Sequence, residues 1–465
     1  MIQMRISFTY ALCLFFILSI QFSDAQKLSR QEMMTDIDYY FDILRNKHPN
    51  LYIKYNQFQY DSLENAIMNR ITAPLSYKDF NRMLLTLNQY TDGHTQILTN
   101  QIWEEQYSQH YFPYISIHHD SLLVDDKILL TINNVNANVI INEIRSSLSW
   151  ENNPLLNELT TNYRLPNYLL TFYNIDSPYH IQLQSKSTGE IETDTIEVKN
   201  AVFRKDPLKY HFKFFPEESI AVLFYNTCYL ESEERHLSQV LSTAFNKIKQ
   251  KRIKYLFIDI RLNGGGIGRF SEYFLNHINY RKNKCIYNMK VNINQVEDII
   301  KNEIKHDPKQ IMKDCGINIF KRFVVKRKLK LADKLLVDFK TTGILSMPII
   351  LPGQSKGFDG EVLVIQSRKT YSAAIGFTEL IKQRKMGFIV GEKGGQPFDF
   401  CGDVKYDTLP NSKISIMYPT QYNYFTHSIP TEDGFLPPDI PYDVFDKDLT
   451  VDDYKEIIRL SNKLK

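Results

Sequence analysis

Cysteine, tryptophan and net charge are all in short supply in this chain. Its 465 residues contain five cysteines and two tryptophans, and 56 Lys and Arg against 53 Asp and Glu leave a formal charge of +3. Cys13 sits inside an N-terminal apolar run. Cys228, Cys285, Cys315 and Cys401 are spaced too widely and irregularly for a metal site or a small disulfide scaffold, although a Cys285–Cys315 bridge stays open in an oxidising compartment. A near-neutral balance gives no reason to expect nucleic acid or an acidic membrane surface as partner. Beyond the N-terminus no apolar stretch has the length to cross a bilayer. No internal repeat or low-complexity tract is present. The one glycine-rich loop is not followed by Gly-Lys-Ser/Thr, which argues against a phosphate loop. What is there, 43% apolar residues with abundant Tyr and Phe, describes a globular protein whose length predicts two or three domains.

The apolar run Tyr10 to Ile20 follows Arg5 and ends in Ser23-Asp24-Ala25. That pattern predicts a secretory signal peptide over residues 1–25, cleaved before Gln26, and a mature chain that is secreted or periplasmic with no membrane span. A retained anchor is the weaker reading, because the run is shorter than a span. Residues 26–98 read as an N-terminal helical domain, with Met34, Ile37, Tyr40, Phe41 and Leu44 at helical spacing and Ser76 placed to cap a later helix three residues before Asp79. Residues 110–200 read as a β-rich module of short strands with one helix, Val139 to Leu148. A second αβ region spans 205–445. It carries a Lys-rich, polar insertion at about 281–356, read as mostly helical and as a solvated face or a lid. Residues 446–465 close the chain as a C-terminal helix.

Chemistry concentrates at a few points of this plan. Val362 to Ile365 is a buried-strand run, and Ala374, Phe377 and Ile381 then fall on one helical face, so Ser372 sits where a strand turns into a helix. A hydroxyl there lies beside unpaired helix-terminal amides able to stabilise an oxyanion; the plainer alternative is a simple N-cap. Gly264-Gly265-Gly266 follows another buried run, Tyr255 to Ile260, and costs backbone entropy that makes sense where backbone must approach something closely. A purely structural glycine turn is the alternative. His94 follows a helix in an Asp-Gly turn, which by itself marks only a surface or turn residue.

Four pieces stand in order: Asp-Gly-His-Thr at 92–95, Asp-Ile-Arg-Leu-Asn-Gly-Gly-Gly at 259–266, Thr-Tyr-Ser-Ala-Ala at 370–374, and Glu-Asp-Gly-Phe-Leu-Pro-Pro-Asp at 432–439. As an ordered set they resemble the S41 serine peptidases, the tail-specific or C-terminal processing peptidases and their tricorn-like relatives. The resemblance implies an α/β fold with a ClpP/crotonase-like β/α spiral protease core, preceded by an N-terminal helical domain and a β-rich, PDZ-like module. It implies a serine peptidase acting on polypeptides, with no cofactor and no metal. In the processing branch a Lys activates the Ser; here Pro397 occupies its place, and Lys393 is four residues off register. The tricorn-like branch uses a His base and a late Glu, positions matched by His94 and Glu432, with Gly93 where tricorn has a Ser. The resemblance thus assigns Ser372 as nucleophile, His94 as base and Glu432 as its support. Ala373 with Gly265, or else Gly264, forms the oxyanion hole, while Asp259, Arg261 and Glu392 are structural. Two alternatives remain: a catalytically inert binder of peptides or small apolar ligands on the same fold, and an enzyme with Lys393 as base.

Overall fold

A computed structural model describes residues 27–98, 112–118, 121–197, 208–229, 234–267, 270–297, 337–351, 353–426 and 431–465. The signal-peptide reading, the Cys285–Cys315 pairing and the basic run Lys321 to Lys330 rest on residues outside these.

Helix α1 (Arg30–Lys47) begins at a capping box in which Ser29 and Glu32 satisfy each other's amides, and it buries Met33, Ile37, Tyr40, Phe41 and Leu44. Helices α2 (Gln57–Asn69) and α3 (Tyr77–Leu85) follow, and Ser76 caps α3 through the Asp79 amide. A short turn then leads into the His94 loop and strand β1 (Gln96–Ile97).

The β-rich unit is an antiparallel sheet ordered β2 (Ser116–His118), β3 (Ser121–Val124), β4 (Lys127–Ile132), β5 (Tyr179–Gln184) and β6 (Ile191–Ile196). Two helices lie between β4 and β5: α4 (Ala137–Ser146), as the periodicity predicts, and the 20-residue α5 (Pro154–Tyr173), which it does not. Pro166 inside α5 reads in sequence as a breaker. The helical N-terminus and this unit share one core, in which Ile37, Phe41, Leu84 and Ile97 join Leu129, Ile141, Leu169 and Ile181. The two predicted domains therefore pack as a single body.

The central sheet is ordered β7 (Tyr210–Phe215), β8 (Ile220–Tyr225), β9 (Tyr255–Asp259), β12 (Glu361–Gln366), β13 (Phe388–Gly391), β16 (Ile440–Pro441), parallel from β8 onward. Its strands are apolar on both sides because both faces are covered. Leu256, Ile258, Val362 and Val364 pack with Leu241 of helix α6 (Glu234–Gln250) and Phe377 of α8 (Ala373–Gln383). Phe257, Leu363 and Ile365 face the other way, against Tyr454 and Ile457 of α9 (Val451–Asn462). Helix α7 (Phe270–Leu275) follows the glycine loop.

A second antiparallel sheet runs β11 (Ile344–Leu351), β10 (Asn283–Lys290), β15 (Ser415–Thr426), β14 (Phe400–Thr408), and β1 joins it along β15. The ends of the 281–356 segment are thus paired strands rather than the expected helices. Alternation in Asn-Lys-Cys-Ile-Tyr-Asn-Met-Lys is masked by its polar content, and cross-strand pairing with β11 and β15 decides its state.

Candidate active site

Three loops leave the carboxyl ends of neighbouring parallel strands. Asp259 of β9 is level with Ile365 of β12, and Gln366 with Gly391 of β13, so the loops starting at 260, 367 and 392 open at one sheet edge. That edge is where open parallel sheets place their ligands.

Ser372 stands in the 367–372 loop with φ 50° and ψ −124°, a conformation that costs a non-glycine residue about 1–3 kcal/mol and persists only when its surroundings enforce it. They do. Thr370 Oγ1 donates to Ile260 O at 3.0 Å, Tyr371 N–H to Asn263 O at 3.0 Å, and Gly395 N–H to Thr370 O at 2.8 Å. Ser372 occupies the N-cap position of α8 but its hydroxyl makes no capping bond. Instead Oγ lies 3.2 Å from Nε2 of His94.

His94 is 8% exposed, with Phe400 stacked on its ring at 5.8 Å between centroids and Tyr371 at 5.6 Å. Burial pushes its imidazole pKa below the ordinary value, and the nearby Asp92 carboxylate opposes that shift. Burial thus favours the neutral ring, the form able to accept a proton. Asp92 Oδ1 accepts the His94 N–H at 2.8 Å, and Oδ2 accepts Thr95 Oγ1 at 2.7 Å and faces His48 Nε2 at 2.6 Å. His48 Nδ1 accepts the Asn50 N–H at 3.1 Å, so this network places the His48 proton on Nε2. Burial pushes the Asp92 carboxyl up, but His48, His94 and Thr95 together hold it at about 2. A second buried carboxyl, Glu151, accepts the Gly93 N–H at 2.9 Å. Burial first, and the Asp92 charge second, raise it to about 8. Asp92, His94 and Glu151 each offer an atom within 4.8 Å of the others, a spacing a divalent cation could bridge, although both Asp92 oxygens already accept hydrogen bonds.

The expected residues are placed as follows. Ser372 and His94 are brought together. The Ala373 N–H is the first of α8, one of the amides without an intrahelical acceptor. Gly265 lies against Ser372: a Cβ on it would come within 2.6 Å of Ser372 Cβ and 2.9 Å of Tyr371 O. Its own N–H, however, donates to Asn263 Oδ1 at 2.9 Å, while Gly264 is exposed. Glu432 is exposed, and His94 Nδ1 has no hydrogen-bond partner among the described residues; the carboxyls near the ring are Asp92 and Glu151 instead. Lys393 is paired with Asp433 at the surface. Arg261 clamps Asp259 and reaches Val444 O at 2.6 Å, and Glu392 holds Arg368 at 2.7 Å, both bracing loops. Sequence reasoning gave no role to Asp92, which it read as a turn, or to Tyr371, although both lie in the quoted motifs, and Glu151 and Asn152 carry no local signal.

A strained serine at a strand-to-helix turn, hydrogen-bonded to a buried neutral imidazole beside helix-terminal amides, defines a serine-type hydrolase. Residues 224–441 match the sequence model of peptidase family S41, a match that supports a serine peptidase. The chain is similar in fold to mature CPAF, at 13% identity and a TM-score of 0.59, covering 94% of this chain and 97% of that one. It is likewise similar to mature CPAF complexed with lactacystin, at 12% identity and 0.59, covering 94% and 98%. The photosystem II D1 C-terminal processing protease aligns at 11% identity and 0.42, over 89% and 93%. No curated protein matches the chain by sequence.

Proposed function

We propose that the chain is an exported serine endopeptidase that cleaves protein or peptide substrates through an acyl-enzyme on Ser372, with His94 as base. The observation that carries this reading is the 3.2 Å approach of Ser372 Oγ to His94 Nε2 at an enforced, strained turn. As Oγ attacks the scissile carbonyl carbon, its proton passes to Nε2 and a C–O bond forms. The oxyanion is held by the Ala373 amide, with Gly264 as second donor. Collapse breaks the C–N bond as Nε2 returns the proton to the leaving amine, and water, deprotonated by the same ring, releases the acid. Asp92, buried beside the ring and held ionised by its partners, is the charge that favours the transient imidazolium in place of the exposed Glu432.

Two finer readings accompany this. The parallel sheet covered on both faces supports a ClpP/crotonase-like spiral core, and the sheet and helices of 116–196 support a divergent PDZ-like module. Export rests on the apolar run Tyr10 to Ile20 ending at Ala25. The test is labelling by a fluorophosphonate probe. The chain is expected to be labelled, and Ser372→Ala to fold normally but lose both labelling and peptide hydrolysis. A folded wild-type chain that binds peptides or apolar ligands yet is never labelled would make it an inert binder.

A further inference from the structure

One short turn touches both halves of the active site, although it belongs to neither catalytic loop. Glu151, Asn152 and Asn153 lie between α4 and α5, immediately ahead of Pro154, the first residue of α5. Ser149 Oγ donates to Thr91 O at 2.7 Å and accepts the Glu151 N–H at 3.0 Å, fixing the start of the turn against the His94 loop. Glu151 Oε2 then accepts the N–H of Gly93, the residue before His94. Asn152 Oδ1 accepts the hydroxyl of Tyr371, the residue before Ser372, at 2.9 Å. Asn153 N–H donates to Gly395 O at 2.8 Å and its Nδ2 to Gly394 O at 3.0 Å, and the Gly395 N–H in turn holds Thr370 O. Three consecutive residues thus grip the base loop, the nucleophile loop and the loop that supports the nucleophile. Gly93 belongs to the same arrangement: a Cβ there would lie 1.6 Å from Tyr371 Oη, so a side chain at 93 would displace the hydroxyl that reaches Asn152.

We propose that the turn Glu151-Asn152-Asn153 is a positioning element that sets the separation of Ser372 and His94, with the Tyr371 hydroxyl as its link to the nucleophile. The proposal rests on the Ser372–His94 reading above. A shift of about 1 Å between reacting groups costs on the order of a hundredfold in rate, so losing one grip should be felt in the chemical step rather than in substrate binding. Helix α5 carries the turn and is rooted in the shared core through Leu165 and Leu169, which gives the clamp a rigid base.

The experiment is a double-mutant cycle on Asn152→Ala and Tyr371→Phe in the full mature chain, with Glu151→Leu and Glu151→Gln alongside. Fluorophosphonate inactivation gives the maximal rate and the half-saturating concentration separately, and NMR follows the His94 imidazole titration without any need for turnover. Both single variants should keep the wild-type melting temperature and half-saturation while the maximal rate falls about tenfold to a hundredfold. The double variant should be no worse than either single one, because the same bond is lost. Glu151→Gln, which keeps an acceptor for Gly93, should recover most of what Glu151→Leu loses. The His94 titration midpoint should move equally in both single variants and the double. Wild-type chain that is not labelled at Ser372 would sink the enzyme reading alone; the titration would still decide the clamp. Additive rate losses, or His94 titrations superimposable on wild type in all three variants, overturn it.

Discussion

Asp92 and Glu151 are buried carboxyls on either side of the same histidine loop, yet they sit at opposite ends of the carboxyl range, about 2 and about 8. The difference comes from partners: Asp92 faces His48, Thr95 and the His94 amide, whereas Glu151 has one backbone N–H and the Asp92 charge against it. Asp92 is therefore the fixed anion beside His94. Because burial lowers the His94 pKa, the neutral ring persists below the ordinary imidazole range. Activity at low substrate should be level through neutral pH and fall only as pH drops through the lowered value, where the ring protonates. Asp92→Asn removes the charge that raises that pKa. It should move the acid limb to still lower pH and cut the plateau rate about a hundredfold, since the imidazolium loses its support. Glu432→Gln, at an exposed position, should stay within about twofold of wild type. A pH–rate series on the three proteins checks both expectations, and a larger loss in Glu432→Gln than in Asp92→Asn would return the supporting role to Glu432.

At the scale of elements, the glycine loop is the tightest fit. Gly265 has φ +99°, and a methyl group on it would press on Ser372 Cβ. Gly265→Ala should cost about 1–3 kcal/mol of stability through backbone strain and overpacking. It should also cost more than tenfold in fluorophosphonate labelling rate, because the loop can relax only by displacing the nucleophile; thermal melts and labelling kinetics read the two effects separately. The same elements show what the sequence makes legible. Runs such as Tyr255 to Ile260 and Val362 to Ile365 announce buried strands, and the change of period after Ser372 announces α8, because one residue pattern decides each. β10 and β11 are not legible, since their state depends on pairing with β15 and with each other. Nor is the third party to the active site. Ser372 and His94 sit in recognisable local patterns, but Glu151 and Asn152 reach the site only because α4 and α5 turn back against the helical N-terminus.

In the whole molecule the proposed catalytic pair is drawn from two bodies of structure. His94 lies between α3 and β1, at the edge of the shared helical and β-rich core, and Ser372 lies on the central sheet. β1 joins β15 of the second sheet through Gln96 and Ile97, two and three residues past His94, which ties the base loop to the protease region. Lys393, the rival base, faces outward in an ion pair with Asp433. The most direct measurement is therefore the labelling rate of Ser372 by a fluorophosphonate in His94→Ala and Lys393→Met at neutral pH. With His94 as base, His94→Ala should be about as inert as Ser372→Ala, because the two residues act as one unit, while Lys393→Met labels like wild type. A dead Lys393→Met beside an active His94→Ala would contradict this assignment and make the lysine the base.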